Sequence, residues 1–441
     1  MSKLQSLAPQ ITSTKWDYKY NKVLLSNGAT LVLVRQAHLH QGTLSVNIGT
    51  GSRFESPSLN GISHFLEHMV FRGTNRFPTS LSLNIAIEKL GGTFAASTTP
   101  DTTEFSVTLP PETLLEGAEL LAELVISPRF NKMETERGII VEEIKEGLDE
   151  HGASIDIDDL SRARLWPNHP LGFSVTGPVE NVERFTIADL SKRFKDAYTG
   201  SNTVICATGA FDPEALTDAL EKAFKAMPCA VALPRPVTPQ TASKSSFYHA
   251  HKPGSQTQIR AAFHAPGFSD KDYAAAEVLI RLIDDGMSTP LHRRIFEEKG
   301  LAYNVCADLE TYYDTGALNF DAVCSHENVS ILLDEILDIA WEFKAKLVSS
   351  EELEKATKRA VWDFKILLDN PEAMNAWYGE QQLVRTPPPL EKEALALTTV
   401  TREDILKVAD KIFYGAALHV TTVGVQNNRQ IAKLQKTAET F

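Results

Sequence analysis

The sequence predicts an α+β fold with two tandem homologous domains, each a mainly antiparallel sheet packed with helices. Three prolines within the six residues "PRPVTP" exclude a helix or a central strand near the middle of the 441-residue chain. The segments on either side repeat one order of predicted elements, at a long period and with low identity. We therefore predict an N-terminal domain over residues 1–230, a linker over 231–246 and a C-terminal domain over 247–441.

Strand-like runs open each half: "ATLVLVRQ" and "GTLSVNIGTGS" in the first, and "TQIRAAFHA" in the second. Each half continues with a helical pattern, a turn that contains glycine, and further strands. More helical segments follow, among them "METERGIIVEEIKEGLD" in the first half and "SEELEKATKRAVWDFKILLD" in the second. A Thr-x-x-Asp helix start precedes the last strand of each half, which predicts helix N-caps at Thr186 and Thr401.

The composition is that of a soluble globular protein, with 43% hydrophobic and 23% charged residues. A net charge of −13 argues against a nucleic-acid-binding protein, which needs a basic face. The apolar runs are shorter than the ~18 residues that a membrane-spanning helix needs. The stretch "MSKLQSLAPQITSTKWDYKY" lacks the apolar core of a signal peptide. We expect a soluble protein of the cytoplasm, or of the periplasm if a signal peptide has been removed.

The stretch "HFLEHMVFRGT" places two histidines and a glutamate in an apolar run of helical period. On a helix His64 and His68 lie one turn apart on one face, with about 6 Å between their Cβ atoms, so both imidazoles can reach one cation. Glu67 lies beside His68, close enough to contact a metal-bound water without ligating the metal. This is the H-x-x-E-H pattern, the reverse of H-E-x-x-H. The alternative, a histidine pair on a solvated helix face, fits poorly with the apolar residues around it.

A catalytic zinc site needs a third protein ligand and an open position. In "ETERGIIVEEIKEGLD" Glu143 falls on the predicted buried stripe, whereas Glu142 points away and Glu146 lies at the edge. A carboxylate on an apolar face has to be paired or bind a metal, so Glu143 is the preferred candidate and Glu146 its rival. Glu136 is displaced from Glu143 by about 10 Å along the helix, too far to share the ion. It either orients a ligand or a substrate amine, or is a plain helix N-terminal acid.

Two other histidine pairs have the i, i+2 spacing that can bind a metal on a strand. They are His38 with His40, and His249 with His251. Since no buried carboxylate is predicted near either pair, we expect solvated or hydrogen-bonded histidines there.

"GSRFESPSLNGISHFLEHMVFRGT", with 74 residues between His68 and Glu143 of "ERGIIVEEI", closely resembles the pitrilysin/insulinase-type (inverzincin) zinc metallopeptidases. The most similar branch contains mitochondrial processing peptidase and its small bacterial relatives. The resemblance implies an endopeptidase with one Zn2+ per chain, bound by His64, His68 and Glu143. It makes Glu67 the general base toward a zinc-activated water and Glu136 a supporting acid. It also implies a closed chamber of four such domains, in which the peptide is added as a strand to a sheet edge.

The sequence departs from the family's pattern at positions that hold the substrate. Ala95 stands where the family's edge strand begins with Asn. In "IFEEKGLAYNV" the second half keeps Tyr303, a substrate-steadying residue by resemblance or else an ordinary strand tyrosine. Phe296 stands seven residues earlier, where the family has Arg. Val361 stands opposite Glu143 in the repeat, so the second half is expected to hold no zinc of this kind.

We therefore expect a peptide substrate and a heterodimer with a homologous subunit that supplies an Arg/Tyr pair. The alternative is a homodimer in which Arg293 or Arg294 replaces the missing Arg. A different function with the same fold is that of a non-catalytic assembly subunit, like the core subunits of respiratory complexes. The intact H-x-x-E-H favours the endopeptidase.

Overall fold

The structure, a computed structural model, describes residues 16–239 and 244–441. Within these residues the first half forms one sheet from the strands β1 Lys19–Leu24, β2 Thr30–Arg35, β3 Gly42–Ile48, β4 Thr93–Thr98, β5 Thr103–Leu109 and β6 Thr203–Gly209. Their order across the sheet is β1-β2-β6-β3-β5-β4, so β4 lies at one edge. β2 and β6 are parallel and the other neighbours are antiparallel.

The second half forms a sheet of the same construction. Its strands are β7 Ser246–His251, β8 Thr257–Ala265, β9 Ala302–Thr311, β10 Gly316–Cys324 and β11 Leu418–Gly424. The order is β7-β11-β8-β10-β9, with β7 and β11 parallel and the other pairs antiparallel. The order and the relative directions of these five strands are the same as those of β2-β6-β3-β5-β4 in the first sheet. The predicted α+β fold with two homologous domains is confirmed; the domain boundaries around 231–246 stay a prediction.

The described residues of the first half contain eight α-helices, most of which cover one face of its sheet. They are α1 Ile62–Val70, α2 Ser80–Lys89, α3 Leu114–Ile126, α4 Met133–Glu146, α5 Ile157–Leu165, α6 Val179–Arg184, α7 Ile187–Ala197 and α8 Pro213–Phe224. Val46 on β3, Leu66 on α1 and Leu121 on α3 belong to one buried apolar core. Because successive strand residues point to opposite faces, this core uses only one side of the sheet.

Helices of the second half repeat this arrangement. They are α9 Tyr273–Ile283, α10 Pro290–His292, α11 Val329–Ala345, α12 Ser350–Leu367, α13 Pro371–Val384, α14 Leu390–Thr398, α15 Arg402–Ile412 and α16 Asn428–Thr440, with a π-helical turn Arg293–Glu298 after α10. The Thr186 and Thr401 side chains each accept a hydrogen bond from the backbone N–H three residues later, which confirms both predicted N-caps. In the described part of the chain no helix is both long and apolar enough to cross a membrane.

The two halves exchange helices. α5 belongs to the first half but packs on β8 and β11, and α13 belongs to the second half but packs on β2, β3 and β6. Tyr378 of α13 is buried in an apolar cluster with Val32, Val34 and Cys206 of the first sheet. On the other side, Trp166 after α5 is buried with Ala262 of β8. Each sheet therefore has its second face covered by the other half.

Candidate metal centre

Helix α1 carries the H-x-x-E-H residues on a segment that is otherwise packed into the core. Five apolar residues of the helix are fully buried: Ile62, Phe65, Leu66, Met69 and Val70. Since these positions take up the sides of the helix that face the core, His64, Glu67 and His68 share the remaining side. His64 is buried, while Glu67 and His68 are half-buried, and such groups on a firmly packed helix keep the fixed geometry that a metal site requires.

Glu55 fixes the start of α1, and the sequence reasoning missed it. Its Oε1 accepts a hydrogen bond from the backbone N–H of Ser63, and its Oε2 accepts one from Gly61, both at 2.8 Å. Burial raises the pKa of this carboxyl, against the hydrogen bond from Ser63 and the positive charge of Arg193. A carboxylate here satisfies N–H groups that have no partner within the helix. The available signal was an acid shortly before a helix start.

Two histidines of α1 and one glutamate of α4 converge. Nε2 of His64 lies 3.5 Å from Oε1 of Glu143, and Nε2 of His68 lies 3.6 Å from Oε2. The two imidazole centroids are 4.7 Å apart. Their donor atoms all lie within 4.8 Å of one another, and no other group of three His, Cys, Asp or Glu side chains in the described ranges is arranged to hold a metal. The pairs at His38 and His249 thus stay outside any such group.

Glu143 is more exposed than the sequence predicted. Its side chain is 43% exposed, so it is not a carboxylate forced into an apolar face. Buried residues of α4 include Ile140 and Ile144, and the helix turns Glu143 toward the two imidazoles. Glu142 is exposed, as expected, and Glu146 is exposed and outside the group.

Glu136 lies behind His68. Its Oε2 is 3.1 Å from Nδ1 of His68, its side chain is 2% exposed, and Arg72 contacts its Oε1. A carboxylate at Nδ1 holds the imidazole proton there and leaves the Nε2 lone pair directed at Glu143. Arg72 was not anticipated, although it follows His68 by only four residues, just after the end of α1.

The donor set fits a zinc ion. Tetrahedral zinc with bonds of about 2.0–2.1 Å places neighbouring donors about 3.3 Å apart, close to the 3.5 and 3.6 Å that separate the imidazole nitrogens from the carboxylate oxygens. Burial, with the neighbouring His68, lowers the pKa of His64 to about 3, so this imidazole is neutral and offers its lone pair. Two imidazoles and one carboxylate leave the fourth position of such an ion open.

Glu67 is held at the end of the edge strand. Its Oε2 accepts a hydrogen bond of 2.6 Å from the hydroxyl of Thr98, the last residue of β4. Burial raises the pKa of the Glu67 carboxyl and the nearby Glu143 adds to it, whereas the Thr98 hydroxyl and His68 lower it. The contact with Thr98, which the sequence does not show, joins the base candidate to the end of the edge strand β4.

A cavity of about 750 Å³ opens beside Thr98, between the two halves. Its walls come from the β4–β5 turn, the end of β9, and the helices α9, α12, α13 and α14. Aromatic rings and carboxylates both face it, among them Tyr273, Tyr312, Trp377, Glu277, Glu310 and Glu380. The cavity thus adjoins the end of the edge strand β4.

Sequence comparison assigns both halves to one family. The family model described as "Insulinase (Peptidase family M16)" matches residues 30–179, and the one described as "Peptidase M16 inactive domain" matches residues 184–359. The chain belongs to the M16 peptidase family. The resemblance to insulinase-type metallopeptidases is thereby confirmed.

Relatives of this M16 chain extend over most of its length. The Bacillus subtilis protein named uncharacterized zinc protease YmxG is 26% identical over 368 residues, covering 81% of this chain and 87% of its own. Mitochondrial-processing peptidase subunit beta of Blastocladiella emersonii is 27% identical over 424 residues, covering 91% and 87%. The crystal structure of a protease from Helicobacter pylori matches with a TM-score of 0.86 at 21% identity, over 92% of this chain and 99% of that chain, and shows the same fold.

The edge strands of the M16 fold carry the other predicted substrate residues. Ala95 lies on β4 with its side chain exposed. Tyr303 lies on β9, at the edge of the second sheet, and is 88% exposed; its ring centroid is 6.3 Å from that of Phe296. Tyr303 thus lies outside the His64 group, while Val361 is buried in an apolar cluster.

The two arginines before Phe296 differ in their surroundings. Arg294 is bound by Glu335 at 2.8 Å and by Glu342 at 3.0 Å. Arg293 is 56% exposed and has Glu298 at 3.8 Å. Only Arg293 is therefore free to reach a partner chain without breaking a close ion pair.

Proposed function

We propose that this M16 chain is a zinc-dependent endopeptidase that cleaves peptides or unfolded segments. One observation supports this above all: His64, His68 and Glu143 converge, and Glu67 lies beside them with its own hydrogen-bond donor. An assembly role has no use for three metal donors together with a base. The relatives named as zinc protease and processing peptidase agree with it.

The residues divide the work as follows. His64, His68 and Glu143 would hold the zinc ion, and Glu136 would orient His68 through Nδ1. When bound, a zinc ion lowers the pKa of its water and polarises a carbonyl. Glu67 takes a proton from the attacking water and returns it to the leaving amine, which is general base followed by general acid catalysis. Its raised pKa suits this double role, because the same group has to accept and then release the proton.

The peptide would bind along β4. An edge strand offers unpaired backbone N–H and C=O groups, so an extended peptide can join the sheet there. Backbone pairing does not depend on a side chain, and it therefore tolerates Ala95 in place of Asn. The scissile bond would lie near Thr98, which holds Glu67. The adjoining cavity, of the size usual for ligand pockets, would take the residues beyond it.

Metal content and turnover test the proposal together. We expect one zinc per chain by elemental analysis, and cleavage of a peptide library that stops with a chelator and returns with zinc. His68→Ala should lose both zinc and cleavage. His38→Ala, which removes an exposed histidine outside the donor group, should keep both. Stoichiometric zinc in His68→Ala would contradict the ligand assignment.

The same experiment separates the second candidate, a non-catalytic assembly subunit. A chain that holds one zinc but cleaves no peptide, alone or with a homologous partner, would be an assembly subunit that has kept the site. Cleavage that depends on Glu67 excludes that role.

A further inference from the structure

Arg53 is a buried cation shared by the two halves. Its side chain is 2% exposed. Nη2 lies 2.8 and 2.7 Å from the two carboxylate oxygens of Asp314, and Nη1 lies 3.4 Å from both oxygens of Asp101. The backbone N–H of Arg53 also donates to the carbonyl of Pro100 at 2.9 Å. One residue thus binds a turn of each sheet.

Of the two turns, the one between β4 and β5 is close to the candidate metal centre along the chain. Asp101 lies in the turn between β4 and β5, three residues after Thr98, whose hydroxyl donates to Glu67. Asp314 lies in the equivalent turn of the second sheet, between β9 and β10. Arg53 itself precedes by two residues Glu55, which caps α1. The guanidinium therefore connects the second half to both elements that hold Glu67: the end of the edge strand and the start of its helix.

The pairing with Asp314 is the stronger of the two. Burial by itself would raise the pKa of Asp314, but hydrogen bonds from Arg53 and Thr238 and the charge of Arg53 hold it below its usual value. Both oxygens of Asp314 accept from one nitrogen, Nη2, at 2.8 and 2.7 Å, the usual length of a charge-assisted hydrogen bond, whereas the contacts to Asp101 are 3.4 Å long. Without Asp314, a buried cation would keep only Asp101, and the turn that carries Asp101 would have to move toward it.

We propose that Arg53 and Asp314 are a positioning pair through which the metal-free second half sets the place of Glu67 and of the end of β4. This inference rests on the proposed peptidase function, and gives the second half a part in catalysis beyond enclosing the substrate. Neither residue touches the metal donors; both act through Thr98 and Glu55.

The chain offers a second ion pair between the halves as a control, although its acid is more exposed, at 57% against 11% for Asp314. Asp158 on α5 and Arg260 on β8 also form an ion pair between the halves, at 2.6 Å. Arg260 is bound in addition by Asp321, at 2.6 Å, just as Arg53 has two acids. This pair joins α5 to the second sheet, and none of its described ion pairs is with the β4–β5 turn. Asp158→Asn therefore removes a contact of the same chemistry away from the site.

The test compares Asp314→Asn with Asp158→Asn in the full chain, together with the partner subunit if cleavage requires one. For Asp314→Asn we expect kcat to fall about tenfold while KM changes by less than about twofold, with zinc retained, because the change misplaces the base and not the metal. Asp158→Asn should leave both constants near the wild-type values. Arg53→Lys, which keeps the buried charge but has one nitrogen in place of the two that contact Asp314 and Asp101, should show the same kcat loss in a milder form.

A second readout does not depend on activity. In the zinc-free protein, hydrogen–deuterium exchange of backbone amides in residues 98–102 and at the start of α1 should become faster in Asp314→Asn and stay unchanged in Asp158→Asn. Equal kcat and equal exchange in the two variants would overturn the inference. If the wild-type chain itself cleaves nothing, the proposed function fails, and the exchange comparison still decides whether the pair positions these segments.

Discussion

Glu67 is the residue on which the proposed chemistry depends most directly. Glu67→Gln keeps an oxygen that accepts from Thr98, so the fold and the zinc content should not change. An amide cannot take the proton of water, and we expect kcat/KM to fall by about 10²–10⁴. Peptide cleavage assays beside elemental analysis check this. Turnover near the wild-type level would require another base.

Glu136 should affect zinc affinity more than the chemistry. Its carboxylate lies at Nδ1 of His68, and the loss of such a partner typically weakens metal binding about 10–100-fold. Glu136→Gln is therefore expected to raise the zinc dissociation constant by that factor in a chelator competition, with cleavage largely restored at saturating zinc. Glu134→Gln, an exposed acid on the same helix, should bind zinc like the wild type. If Glu136→Gln bound zinc as tightly as the wild type, Glu136 would be only an acid at the N-terminus of its helix, without a role at the metal.

The sequence predicted those features of this centre that depend on the spacing of residues along one helix. Two histidines four residues apart have one relative position on a helix, so their convergence followed from the pattern alone. The environment of each side chain could not be predicted from this spacing. Glu143 was expected on a buried stripe but is partly exposed, because helical periodicity defines a face and not what covers it. The contacts of Thr98 with Glu67 and of Arg72 with Glu136 join side chains far apart in sequence.

The burial of Glu104 should make stability depend on pH. Burial, with the nearby Glu380 on α13, raises the pKa of Glu104 on β5 to about 7. In the unfolded chain the group ionises near its ordinary value of about 4.3. The folded state thus holds this proton more tightly. The protein therefore loses folding stability as the pH rises from about 4.3 to about 7.

Glu104→Gln removes this loss. Thermal unfolding should show a higher midpoint temperature for the variant than for the wild type at about pH 8. At about pH 5 the two midpoints should differ little. Glu88→Gln, an exposed acid on α2, serves as the control and should behave alike at the two pH values. An equal shift of Glu104→Gln at both values would show that ionisation of Glu104 has no part in it.

Helices and strands were predictable to the extent that their own periodicity and caps define them. The duplicated order of strands and the caps at Thr186 and Thr401 were read from pattern and confirmed. The exchange of α5 and α13 was not foreseen. An amphipathic helix shows that one face is buried but not which sheet buries it, and these two helices pack on the sheet of the other half.

The arrangement of the complete chain makes a second chain necessary in our proposal. In the four-domain chamber that the resemblance implies, one chain would supply two domains, and its second half has Phe296 where the substrate-steadying Arg is expected. Tyr303 is almost fully exposed at a sheet edge, as a residue that meets a bound peptide or a partner would be. Arg294 is held by Glu335 and Glu342, so it is a poor substitute for the missing Arg.

We therefore predict a heterodimer with a homologous chain that lacks H-x-x-E-H and carries Arg seven residues before Tyr in its second half. Purified alone, this chain should bind zinc but cleave peptides at least about tenfold more slowly than the mixture with that partner, because positioning of the substrate accounts for part of the rate. Light scattering on the mixture should show one copy of each. Replacing the partner's Arg by Ala should return the rate to that of the isolated chain. Full activity of an isolated homodimer, lost in Arg293→Ala and kept in Arg293→Lys, would instead assign the missing role to Arg293.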